Sequence, residues 1–224
     1  MEQSNYFMKS SEHSNSLTNP YKEDAINSIY NMLFCDDLEL YKAKSKELDA
    51  YPWNIIFSDS IETEQLQKLI DDSNTESRMK VLAYNKLLSA GHIPHHKVLL
   101  AVIVEVGLDQ GLDVLASYSG GTARIINQTE KVLIWETIDK QSLQLTEDLF
   151  TKSQDIVKLI GPWNKPRRPA PSTGNARISF LVSDGLYFGE GAIEVLFNDP
   201  LAGPALTSAT YLMSYITEKS LESK

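Results

Sequence analysis

One cysteine, Cys35, stands among 224 residues, which excludes an intrachain disulfide and any zinc site built on several thiolates. Cys35 follows the apolar run Met32-Leu33-Phe34, so a buried thiol is expected rather than a nucleophile, which needs a basic partner. Long apolar runs are missing too, and without roughly eighteen apolar residues in a row no segment is expected to span a membrane. The opening MEQSNYFMKSSEHSNSLTN lacks the basic start and apolar stretch of a secretory leader. A soluble cytoplasmic protein is the resulting expectation, with residues 1–18 as a disordered polar tail. Positive charge is not in excess: a net charge of −9 disfavours broad contact with phosphate backbones, so no nucleic-acid partner is expected.

Motifs of known chemistry are also missing. Neither G-x-S-x-G nor H-E-x-x-H occurs. GEGAIE, with Gly189 and Gly191, approaches a dinucleotide fingerprint, but Glu194 occupies the third glycine position and would repel a pyrophosphate. Ser119-Gly120-Gly121 lacks the lysine of a P-loop. Both stretches read as turns, and no cofactor is implied.

What the chain does contain is enough apolar residue, 42%, to bury a core without staples. Asn19 and Pro20 read as the cap and first position of a helix whose inner face carries Ile26, Ile29, Tyr30, Leu33 and Phe34. LELYKAKSKELDA reads as a second helix. YPWNIIFSDS reads as extended, because Pro52 restrains Tyr51 and Ile55, Ile56 and Phe57 favour strands. Ser60 is placed to cap a helix bearing Leu66, Leu69 and Ile70, and a further helix with Met79, Leu82 and Leu87 stops at Gly91.

The texture then changes. VLLAVIVEV predicts a strand covered on both faces, and LDVLASY alternates as a half-buried one. With TARII and VLIWE they form a four-stranded antiparallel meander. Ser142 or Thr146 opens a helix ended by Gly161-Pro162. WNKPRRPAPSTGN is a loop, ARISFLV and GLYFGEG make a hairpin, and Gly203-Pro204 starts a last helix. The predicted class is α+β: an antiparallel sheet, a four-stranded meander plus a C-terminal hairpin, packed by helices. A mainly helical region over 19–92 and a sheet region over 93–224 are expected to form one continuous domain.

Charge is unevenly spread along this plan. Between Ile156 and Ser183 there is no acid, while Lys158, Lys165, Arg167, Arg168 and Arg177 give +5; subtracting that from −9 leaves −14 on the remainder. Prolines stiffen the segment, and arginine forks bind carboxylates or phosphates in pairs of hydrogen bonds. Lys165, Arg167, Arg168 and Arg177, with Trp163 as a wall, are therefore the candidate contact set. They would meet an acidic protein or a second copy of the chain; the alternative is a small anion, and the simplest reading is a solvated loop.

His92, His95 and His96 are weaker candidates for a metal. Pro94 denies them a shared helix face, so a polar turn is expected. Glu105, in the most apolar strand, would stand in water, pair with Arg124 or Arg177, or act as a base in an enzyme of unrecognised type. Asp36-Asp37 and Asp71-Asp72 are expected to be solvated. The function expected is that of a non-catalytic intracellular interaction or accessory protein.

Overall fold

β-Branched runs pair across a single antiparallel sheet in the computed structural model, which describes residues 17–45 and 47–222. Its strands are β1 (Leu99–Leu108), β2 (Gly111–Tyr118), β3 (Ala123–Ile126), β4 (Val132–Trp135), β5 (Asn175–Val182) and β6 (Gly185–Ala192), in the spatial order β4-β3-β2-β1-β5-β6. The hairpin therefore joins the meander along β1, with Glu105 directly opposite Arg177. Eight helices are present among the described residues: α1 (Asp24–Met32), α2 (Leu38–Lys44), α3 (Trp53–Ile56), α4 (Thr63–Asp71), α5 (Ser77–Ser89), α6 (Lys140–Val157), α7 (Ile193–Asn198) and α8 (Ala202–Glu222). The architecture is α+β, and no helix of the described residues is long and apolar enough to cross a membrane.

Successive strand residues point to opposite faces, and each face has its own cover. Ile103, Val114, Ala116, Tyr118 and Leu181 share a core with Tyr30, Phe34, Leu66 and Leu82 from the N-terminal helices. Val102, Val104, Ile178, Phe180 and Val182 pack instead with Leu149 of α6 and Ala205, Leu206, Ala209 and Leu212 of α8. β2 is covered on both sides, since Leu115 and Ser117 are as buried as Val114, so the half-buried strand expected there is corrected.

Several local expectations are also overturned, each for a reason outside the segment. The extended reading of YPWNIIFSDS gives way to the single turn α3. Trp53 stacks on Phe57 at helical spacing, 5.2 Å between ring centroids, and the buried Lys86 ammonium of α5 donates to the carbonyls of Ile55, Ile56 and Ser58. That ammonium satisfies carbonyls that a helix end leaves open. α1 begins at Asp24 rather than Pro20, and α4 at Thr63 rather than beside Ser60. Asp139 caps α6, accepting from the Gln141 and Ser142 amides, while Ser142 returns the bond as the third residue of a capping box. Gly189 and Gly191 lie within β6, not in a turn, and α7 follows directly. Of the expected tail, residues 1–16 lie outside the described residues; Thr18 is fixed by two hydrogen bonds with the Asn31 side chain.

Candidate functional site

The segment from Gly161 to Gly174, between α6 and β5, runs as a strap along the face of the sheet that carries the N-terminal helices. Its backbone is tied at both ends: the Trp163 amide donates to Leu186 of β6 (2.7 Å), and the Gly174 amide to Gly107 of β1 (3.0 Å). At Gly107 the strap lies so close that a Cβ would stand 2.4 Å from the Ser172 carbonyl oxygen. No larger residue fits there without moving the strap, because such contacts fall far inside van der Waals distance.

The five candidate residues, four in the strap and Arg177 on β5, separate into two groups. Arg167 turns inward and is 5% exposed. Its Nε donates to Asp36 (3.0 Å) and its Nη2 to Asn31 (2.6 Å), while the guanidinium lies 4.0 Å from the Phe34 ring centroid and 5.5 Å from that of Tyr30. Arg177, 2% exposed, lies between two carboxylates: 3.5 Å from Glu105 on β1 and 2.6 Å from Glu190 on β6. It also donates to the strap carbonyls of Arg168 and Pro169. The Tyr30 hydroxyl completes the chain by donating to Glu105 (2.6 Å). Arg167 and Arg177 of the candidate contact set therefore lie inside the molecule, where carboxylates of the same chain pair with them.

Burial governs the acids of this network. It pushes the Glu105 carboxyl above its ordinary range, against the Arg177 charge and the Tyr30 hydrogen bond. Asp36 is raised for the same reason, against the pull of Arg167. Glu105 exposes no surface and so has no access to a substrate proton, which removes its expected place as a catalytic base. Of the pairings expected for it, Arg177 is the one found; Arg124 instead reaches Glu136 at 2.8 Å. Asp36 and Asp37 are corrected as well, since Asp36 holds Arg167 and Asp37 caps α2 through the Leu40 amide.

The second group stays outside. Arg168, half exposed, lies 3.5 Å from Glu190, and Lys165 is exposed with its ammonium 5.5 Å from the Trp163 ring centroid. Trp163 is half-buried, packs edge-on against Phe188 at 5.1 Å and donates its indole N–H to the Pro166 carbonyl. Arg167 and Arg168 are adjacent in sequence yet point to different environments, so the two do not form a joint clamp for a small anion.

The histidines stand apart. His92, His95 and His96 are exposed and border a shallow cleft of about 430 Å³ between α4, α5 and the start of β1, where His92 meets the Thr63 hydroxyl at 3.4 Å. Among the described residues no group of three acids, histidines or cysteines converges as metal ligands would. Burial pushes the Cys35 thiol up to about 12, with the Tyr41 hydroxyl 3.2 Å away, so it is an inert buried thiol.

Compared with known proteins, the chain matches no family model, no curated protein and no solved structure.

Proposed function

We propose that the chain is a non-catalytic cytoplasmic interaction protein whose strap meets an acidic partner through Lys165, Arg168 and Trp163. One observation carries this reading. The strap is anchored from within by Arg167 and Arg177, and a lysine and an arginine still stand outside it beside a half-buried tryptophan. A surface held in one conformation before it binds loses little entropy on binding, and tryptophan and arginine are frequent anchors of protein interfaces. Division of labour within one short segment also accounts for the excess of cations there: the interior pair positions, the exterior set makes contact.

Fluorescence polarisation with a labelled polyglutamate peptide, at low and high salt, tests this. Replacing Lys165 and Arg168 together by alanine is expected to abolish the salt-sensitive part of binding, because exposed charges are screened within about 10 Å at ordinary ionic strength. Equal binding by the double variant and the parent chain would refute the proposal. Sedimentation of the protein alone distinguishes a second copy from a foreign partner.

A further inference from the structure

We propose that β6 accepts an extended acidic segment of a foreign protein as an added antiparallel strand. The inference rests on the strap as a contact surface for an acidic partner and names the form that partner takes.

β6 is one edge of the sheet and is eight residues long. It follows β5 through the turn Ser183-Asp184, with Gly185 opposite Val182. In such a hairpin the closing pair exchanges hydrogen bonds, and every second residue beyond it points its backbone groups away from the partner strand. Leu186, Phe188 and Glu190 therefore turn their amides and carbonyls outward. The Trp163 amide, bound to the Leu186 carbonyl, agrees with that phase. Among the described residues no hydrogen bond reaches the backbone of Phe188 or Glu190. An open edge is a template for another strand. β4, the opposite edge, offers only four residues and no cation of the strap.

Charge and shape define the added strand. Residues directly opposite each other on paired strands share a face, so those opposite Phe188 and Glu190 meet the strap. Phe188 packs there against Trp163, while Glu190 lies 2.6 Å from Arg177 and 3.5 Å from Arg168. Glu190 and the buried Glu105 offset Arg168 and Arg177, and Asp36 offsets Arg167. Lys165 makes no ion pair among the described residues and leaves one positive charge in excess. Of the flanking acids, Asp184 faces Lys97 at 3.9 Å and Glu194 lies past the end of the strand. On the other face Gly189 and Gly191 leave the edge bare. A Cβ at Gly189 would meet only Ile178 at 4.0 Å, and one at Gly191 the half-buried Leu196 at 3.6 Å. Glycine within a strand suits the close approach of another backbone. The partner segment therefore alternates acids, facing the strap, with apolar residues facing the glycines.

Fluorescence polarisation of the full chain with a labelled, end-capped peptide of alternating glutamate and valine tests this. In an antiparallel pair the glutamate amides point at β6 and the valine amides at solvent. N-methylation of the glutamate nitrogens is expected to weaken binding by about tenfold or more, as for lost backbone hydrogen bonds. N-methylation of the valine nitrogens is expected to leave it nearly unchanged. Phe188→Pro removes one outward donor without touching the β5 ladder, and is expected to bind about tenfold more weakly than Phe188→Ala, which loses the same ring. Equal effects of the two methylations, a stronger effect of the valine set, or equal binding by the two Phe188 variants overturns the proposal. Should the Lys165 and Arg168 double variant lose polyglutamate while both methylated peptides bind like the parent peptide, edge pairing fails and the strap reading stands. Should neither polyglutamate nor the alternating peptide bind, both fail.

Discussion

The two faces of the sheet are closed in different ways. Against α6 and α8 the contact is apolar: Val102, Val104, Ile178 and Phe180 meet Leu206, Ala209 and Leu212. Against α1–α5 an apolar core is crossed by polar links. The Tyr30 hydroxyl reaches Glu105, Tyr118 donates to the Leu33 carbonyl, Tyr21 to that of Leu112, and Arg167 reaches Asn31 and Asp36. Apolar contact is non-directional and tolerates sliding, whereas hydrogen-bonded charges are satisfied in one arrangement only. The difference teaches that the N-terminal helices and the strap are held in register by specific links, while the opposite helices are held by shape and area.

The largest effect that breaks this comparison is expected from Arg177→Ala. It leaves Glu105 and Glu190 without their shared cation, and removing one partner of a buried ion pair costs about 3–5 kcal/mol. Urea unfolding checks it. Replacing Glu105 and Arg177 together by leucine and methionine is expected to cost less than Arg177→Ala alone, because the fully buried Glu105 charge leaves with its cation. On the apolar face, Leu212→Ala is expected to cost about 2–5 kcal/mol by cavity formation, with little dependence on pH.

A pH series sharpens the contrast. Glu105 has a raised carboxyl in the folded chain, so between the ordinary glutamate range and its folded value the native state binds more protons than the unfolded one. Stability from this group therefore falls as pH rises through that window. Glu105→Gln removes the titration, so the parent chain is expected to lose stability relative to the variant as pH increases there. Carboxylates lowered by local hydrogen bonds, such as Asp139, are common to both chains and cancel. A parent chain that instead gains stability relative to the variant as pH rises through that window would contradict the burial of Glu105. The smallest effect is expected from Lys165→Ala with Arg168→Ala, a change within about 0.5 kcal/mol, as for ordinary surface positions.

Much of the sheet was readable from residue pattern because strands follow local rules. The apolar run of β1 and the turn glycine Gly121 are local signals, and Gly91, with φ of +80°, ends α5 as a positive-φ glycine should. α3 was not readable, since Lys86, the residue that satisfies its carbonyls, stands about thirty positions downstream. The contact set was half readable. Residue type marked the cations, but a loop has no periodicity to say which point inward. Two signals bore on it: Glu105 and Arg177 are the charged residues of two buried, mainly apolar strands, and Gly107 is a glycine within one. Asp36, the partner of Arg167, carried no such mark, because its approach depends on how α1 lies over the strap.

The most direct test compares two neighbours. Urea unfolding of Arg167→Ala and Arg168→Ala at neutral pH is expected to show a loss of about 3 kcal/mol for the first and under about 0.5 kcal/mol for the second. Equal losses, or a larger loss for Arg168→Ala, would contradict the division of the strap into an interior anchor and an exterior contact surface.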